Sequence, residues 1–279
     1  MRRLPKRLIV TADDFGRDLA VNEAVEAAFR DGILTCASLM VGAPAAADAV
    51  ARARRLGLPV GLHLVLGDGE PILPAGDLRA ITGREGRFLD NEVRAGIRFF
   101  LHPGARRQIA AEIRAQFAAF HATGLPLDHV NGHKHVQLHP TVGRLVVEIG
   151  REYGMRAMRL PDEPVEPLRR AFPGETYRAP AYGFAVSALR RRLKRAGVTA
   201  NDQVFGLAWS GAMVEDRLLA LLPHLPDGLS EIYAHPATVS GAVPGYRHDE
   251  ELAALVSPAV RRRVEELGIR MTSFGPATV

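Results

Sequence analysis

Cysteine is all but missing: Cys36 is the single thiol in 279 residues. A disulfide framework and a zinc cluster built on thiolates are both excluded, and a reducing compartment is permitted. Hydrophobic runs are short, and none approaches the roughly 18 consecutive apolar residues of a membrane-spanning helix. Met1 to Arg7 has the basic start of a secretory leader. The apolar run after it, Leu8-Ile9-Val10, is too brief for a leader's core, and two aspartates follow shortly after. The chain is therefore expected in the cytoplasm. Aromatic residues are only 6% of the total, and no nucleic-acid-binding motif accompanies the positive charge, so nucleic acid is excluded as a partner. A G-x-x-x-x-G-K-[ST] loop, a G-x-G-x-x-G turn after the first strand and a G-x-S-x-G elbow are absent, which argues against nucleotide binding and a serine nucleophile.

What remains is an ordinary globular composition, 47% apolar and 24% charged, which excludes disorder, collagen-like repeats and a coiled-coil rod. Lys and Arg number 36 against 31 Asp and Glu, a net charge of +5. The excess gathers in arginine clusters: Arg52, Arg54 and Arg55; Arg190 to Arg192; and Arg261 to Arg263. Each lies in a helix-like stretch. Such clusters read as solvated helix faces or, more sharply, as a surface for anionic lipid headgroups or phosphates.

Short β-branched runs alternate with helical patterns. Strands are predicted at Leu8 to Thr11, Thr35 to Val41, Val60 to Leu64, Leu127 to Val136, Val204 to Leu207, Glu231 to Ala234 and Ile269 to Thr272. Helices are predicted at Val21 to Phe29, Ala45 to Leu56, Arg106 to His121, Val142 to Tyr153, Val186 to Ala196, Glu215 to Leu222 and Glu250 to Leu267. This is the rhythm of a parallel α/β sheet of seven or eight strands in one domain spanning 1–279, either a closed barrel or an open doubly wound sheet. The rhythm fails between Gly67 and Pro103, which reads as a long functional loop over the active face, presenting Ile72, Leu73, Phe99 and Phe100. Pro161 to Pro180 is Pro-rich and expected to be irregular.

In parallel α/β folds, chemistry gathers at the carboxyl ends of strands. Four such ends carry unusual polar residues: Asp13-Asp14 in T-A-D-D-F-G, His63 in G-L-H-L, Asn131, His133 and His135 in N-G-H-K-H, and His235 in A-H-P. Alternation places Asn131, His133 and His135 on one strand face. Adjacent carboxylates repel, and a cation resolves the conflict by binding one and leaving the other free as a base. One carboxylate with two imidazoles suits a divalent ion with open positions, and a separate His can protonate a leaving group. The constellation suits amide or ester hydrolysis. For His235 a fourth metal ligand or a hydrogen-bonded turn residue stands as the alternative. Cys36, in an apolar strand, reads as a buried inert thiol, and Met155 and Met158 as packing.

These motifs, with S-L-M-V-G-A-P-A-A-A-D-A-V, V-R-A-G-I-R-F-F and P-L-D-H-V-N-G-H-K-H, resemble the YdjC-like carbohydrate deacetylases, in particular their hopanoid-biosynthesis-associated branch, from about Arg7 to Ser273. The resemblance implies a TIM-barrel-like fold and removal of an acetyl group from an N-acetylglucosaminyl substrate, an N-acetylglucosaminyl hopanoid in that branch, dependent on a divalent metal, Mg or Zn. It implies Asp13 as catalytic base, His235 near the leaving group, and Asp14, His63 and His133 as metal ligands, with His135 as the fallback third ligand. Two departures stand out: Asn131 replaces the family's Asp, and Ala237 stands where a Gly follows H-P. The implied partners are an N-acetylated glycolipid or amino sugar, an anionic membrane in peripheral contact, and a second copy of the chain. Deacetylation of soluble chito-oligosaccharides, phosphoester hydrolysis, and a non-catalytic carbohydrate- or lipid-binding scaffold are the competing readings.

Overall fold

The structure is a computed structural model and describes residues 5–89, 96, 103–177, 182–240 and 243–275. Strands β1 (Lys6–Phe15), β2 (Cys36–Leu39), β3 (Val60–Leu64), β4 (Leu127–Gly132), β5 (Gln203–Phe205) and β6 (Gly228–Ala234) form one parallel sheet in the order β4-β3-β2-β1-β6-β5. A short β7 (Arg270–Met271) pairs with the start of β1 and completes seven strands. The six-stranded path curls into a half barrel, and the stretch after Met155 closes it. Val130 bridges to Met158, Ala157 bridges to Thr199, and the Val204 N–H donates to the Asp162 carbonyl (2.9 Å). The two sheet edges are thereby joined, giving a TIM-barrel-like fold in a single α/β domain.

Helices cover the outside: α1 (Leu19–Asp31), α2 (Ala46–Leu56), α3 (Pro103–Ala122), α4 (Pro140–Glu152), α5 (Val165–Ala171), α6 (Gly183–Ala196), α7 (Glu215–Leu221), α8 (His248–Val256) and α9 (Pro258–Glu266). Strands buried on both faces explain their continuous apolar runs, such as Leu8-Ile9-Val10, fully buried between helices and barrel interior.

Three expectations need correction. The predicted Leu127–Val136 strand stops at Gly132 and gives way to a 3-10 turn (His133–Leu138) in which Lys134 and His135 take left-handed φ of 51° and 54°. The single helix expected over Glu250 to Leu267 is two, because Pro258 has no N–H for the preceding turn and Ser257 caps the new one through Ala259 and Val260. The Pro-rich stretch after Pro161 is not wholly irregular, since it contains α5.

The segment after Gly67 is long, as expected, but it is anchored. Buried Glu112 of α3 accepts the Ile72 and Leu73 N–H groups (2.9 and 3.1 Å), and Gln108 accepts that of Ala80 (2.7 Å). Ile72 is half-buried and Leu73 packs on the core; Phe99 and Phe100 lie outside the described residues.

Candidate metal and hydrolytic site

Neighbouring strand residues ordinarily point to opposite faces, so Asp13 and Asp14 should not share a site. β1 solves this with an irregularity between Ala12 and Phe15, where Asp14 takes a left-handed φ of 63° that Asp tolerates better than most side chains. Both carboxylates then reach the barrel mouth, and both are buried.

Asp14 meets His63 from β3 and His133 from the turn after β4. Its Oδ1 lies 3.2 Å from His63 Nε2 and 3.2 Å from His133 Nδ1, and those two nitrogens are 3.3 Å apart. Asp14 Oδ1 is buried without a hydrogen bond, while Oδ2 accepts one from Arg17 Nη1 (3.2 Å). Donor atoms about 2.1 Å from a shared ion stand about 3.0–3.4 Å apart in octahedral or tetrahedral geometry. The triangle fits a divalent cation in its edges and in its one-oxygen, two-nitrogen chemistry. His63 is oriented from behind: its Nδ1 hydrogen-bonds Asn131 Oδ1 (2.7 Å), which leaves Nε2 for the ion. Gly61, two residues earlier, is required by a close approach, since a Cβ there would lie 2.6 Å from the His129 ring.

Asp13 stays out of the triangle. Its oxygens accept from Ser38 Oγ (2.7 Å), Asn131 Nδ2 (3.0 Å), Arg159 Nη1 (2.5 Å) and Arg159 Nη2 (2.9 Å). Burial alone would raise its pKa, but the Arg159 guanidinium overrides this and holds Asp13 far below the usual carboxylate range. Arg159 also donates through Nε (2.9 Å) and Nη2 (2.7 Å) to Glu231 Oε1, and lies over the Tyr233 ring at 4.5 Å. Three buried carboxylates, Asp13, Asp14 and Glu231, thus gather around one buried guanidinium, with Arg17 reaching Asp14 from the rim.

Asn131 explains its own departure from the family pattern. Its amide NH₂ donates to Asp13 Oδ1 and to Ser38 Oγ (2.9 Å) while its oxygen serves His63. An ionised Asp could give Asp13 no hydrogen bond and would add like charge.

The structure does not bring His135 to the triangle. The left-handed turn carries it away, so His133 and His135 do not share a strand face; His135 Nε2 instead hydrogen-bonds the Tyr233 hydroxyl (3.2 Å). Burial, with Arg159 next in effect, pushes its pKa down to about 3, so it stays neutral. His235 follows β6 and is held by its backbone. Glu251 Oε2 accepts its N–H (2.7 Å), and His248 Nδ1 donates to its carbonyl (2.6 Å). Its ring stands between Tyr233 and Tyr246, 5.6 and 5.1 Å away, with Nδ1 buried and unpartnered. Burial lowers its pKa below the ordinary imidazole value, and Asp14 and Asp13 pull the other way, which puts it within their field.

The site opens into a cleft of about 240 Å³ bordered by His133, Arg17, Val41, Ile72, Arg87 and Gln116. Cys36 is buried at the opposite end of the barrel near Asp128 and His129, its thiol pushed well above its usual pKa by burial.

Sequence reasoning missed Arg159 and Glu231. The available signal was a lone charge in each of two apolar stretches, A-M-R-L and S-E-I-Y-A, where burial demands a partner.

The fold and the donor set together define a parallel α/β barrel whose mouth carries an Asp-His-His triangle able to hold a metal ion. Residues 7–266 match the family model described as YdjC-like protein, and the chain belongs to that family. It is 30% identical to a carbohydrate deacetylase of Geobacillus stearothermophilus over 97% of this chain and 98% of that one. It is 31% identical to the Homo sapiens carbohydrate deacetylase over 98% and 92% of the two chains. A chitooligosaccharide deacetylase of Yersinia pestis is 28% identical over 97% and 99%. Among solved structures, an Enterococcus faecalis V583 protein, provisionally described as a cellobiose-phosphate cleavage protein, superposes with a TM-score of 0.78 at 22% identity. That likeness covers 97% of this chain and 98% of that one and establishes the fold.

Proposed function

We propose that the chain is a metal-dependent carbohydrate deacetylase that hydrolyses the amide of an N-acetylglucosaminyl substrate. The observation that supports this most is the donor triangle of Asp14, His63 and His133 beside a separate carboxylate, Asp13, held ionised by Arg159. A purely structural cation site has no use for that second carboxylate. Asp14, His63 and His133 would hold the ion, which when bound acidifies water and polarises the acetyl carbonyl. Asp13 takes the proton of the attacking water. His235 gives a proton to the departing amine nitrogen as the C–N bond breaks, and acetate and the free amino sugar leave. Asp13 is so firmly stabilised as an anion that it is a weak base, and a bound cation would supply the acidity of the water that compensates.

Asp13→Asn should keep the metal and lower the rate by a factor on the order of 10² to 10⁴, the usual worth of a positioned base. Loss of metal in this variant would make Asp13 a ligand instead. For His235, amide and activated-ester substrates separate the roles. His235→Ala should leave metal content unchanged and depress amide hydrolysis at least tenfold more than hydrolysis of an aryl acetate, whose leaving group departs without a proton. Equal losses on both would assign His235 to the carbonyl oxygen or the metal.

An N-acetylglucosaminyl hopanoid is the proposed substrate, supported by the sequence resemblance and by the apolar Val41 and Ile72 at the edge of the cleft. The protein then works in the cytoplasm, in peripheral contact with the membrane that holds its substrate. Soluble chito-oligosaccharide is the second reading, favoured by the Yersinia relative's name. Acetate release measured on both substrates decides between them. Mg and Zn are the proposed ions.

A further inference from the structure

The three arginine clusters differ in what surrounds them. Arg52 and Arg55 are tied to Glu26 and Asp48 (2.6–2.7 Å), and Arg263 to Glu266 (3.2 Å), while Arg261 donates to the Asp31 carbonyl. Those two clusters are largely tied down, with Arg54 on the Thr123 carbonyl and Arg262 alone without a hydrogen-bond or ion-pair partner among the described residues. The third is not. Arg151 at the end of α4 and Arg191, Arg192 and Arg195 of α6 line one open groove, and none has an acidic partner among the described residues. The acids flanking Arg151 in α4 are already engaged, Glu148 with Arg144 (2.8 Å) and Glu152 with Arg114 (3.2 Å). Arg190 alone in this cluster is paired, with Asp162 (2.6 Å).

The same helix carries an exposed aromatic. Phe184 is 83% exposed, the highest value for any large apolar side chain among the described residues. Steps of four, three and four residues put Phe184, Ala188, Arg191 and Arg195 on one stripe of α6, while Val186, Leu189 and Leu193 face the core. A wedge-like aromatic continuing into unpaired guanidiniums is the pattern of a helix lying on a charged bilayer, its ring among the acyl chains and its cations on phosphates. Among the described residues that line the groove there is no aromatic side chain on which a single-stranded nucleic acid could stack. Both helices have their carboxyl ends in the groove, where the helix dipole adds no attraction for anions, so the guanidiniums must supply it.

We infer that the outer face formed by α6 and the end of α4 is a docking surface for anionic lipid bilayers, with Phe184 inserted and Arg151, Arg191, Arg192 and Arg195 on the headgroup phosphates. The inference stands apart from the identity of the acetylated substrate, because the surface lies on the barrel's outer wall and uses no residue of the cation site.

The test is co-sedimentation of the full chain with vesicles of phosphatidylcholine alone or with one third phosphatidylglycerol. The protein should bind the anionic vesicles, ignore the neutral ones, and be released as salt is raised to about 0.5 M, where the Debye length falls to a few ångströms. Arg191→Glu with Arg195→Glu should weaken binding tenfold or more, and Phe184→Ser should weaken it without changing the salt dependence. Arg107→Glu with Arg262→Glu makes the same change in net charge elsewhere and should leave binding within about twofold. Acetate release from a soluble N-acetylglucosamine derivative should be unchanged in all of these, which separates failure of the surface from failure of the proposed activity. Equal binding to neutral vesicles, equal weakening by the two double variants, or tighter binding to a single-stranded oligonucleotide than to anionic vesicles would overturn the inference.

Discussion

His63→Ala is expected to give a folded protein that has lost its metal and its activity, with acetate release down by about 10³ or more, the scale of a Lewis acid worth several kcal/mol. The ring is buried and contributes one corner of a triangle whose edges are 3.2 to 3.3 Å. Two donors remain, too few to hold an ion against water. Folding should survive, because the orphaned Asn131 oxygen costs about 1–3 kcal/mol, which a chain this size tolerates. Metal content by mass spectrometry, far-ultraviolet circular dichroism and acetate release read the three consequences separately. A variant that keeps both metal and activity would remove His63 from the site.

Arg159→Met should be the most destabilising single change in the barrel interior. The guanidinium is fully buried and makes four hydrogen bonds to Asp13 and Glu231 at 2.5 to 2.9 Å. Removing one partner of a buried ion pair costs about 3–5 kcal/mol, here with two carboxylates stranded. At about 2–4 °C per kcal/mol, Tm should fall by roughly 10 °C. The pH dependence has a definite sign. In the wild type Asp13 titrates below its unfolded value, so its contribution is full above the ordinary carboxylate range and is lost on acidification. In the variant burial is no longer opposed by Arg159, so the stranded Asp13 carboxyl titrates above its unfolded value and acid restores stability. The gap between the two proteins should be widest near neutrality and shrink towards pH 4. Adding Glu231→Gln to Arg159→Met should recover part of the loss; no recovery would mean that Glu231 is not charge-coupled to Arg159.

Much of this was legible before any coordinates. Parallel strands announce themselves by short apolar runs, and polar residues ending such runs are conspicuous, so Asp13, Asp14, His63, His133 and His235 could all be singled out. Strand periodicity could not choose between His133 and His135, which only the family resemblance ranked. Period-two alternation treats them alike, and only the left-handed backbone at Lys134 and His135 separates them. Arg159 was hidden for another reason. Its stretch pairs with neighbours through single bridges and leaves no periodic trace, although its side chain organises the whole interior. The break at Pro258 was available from the sequence, since proline in a helical pattern ends it.

The positions of these groups along the chain have a consequence for when the cation is acquired. Asp14, His63 and His133 all belong to the first half of the polypeptide, whereas Arg159, Glu231 and His235 come after. A chain emerging from the ribosome carries its complete set of ligands before it has the guanidinium that steadies Asp13. During that interval two adjacent aspartates share one strand end with only Arg17, paired with Asp14, as a counter-charge. An ion held by Asp14, His63 and His133 would tie β1, β3 and the turn after β4 together before the second half of the barrel is made. Arg159 arrives only afterwards, to steady Asp13 from the other side.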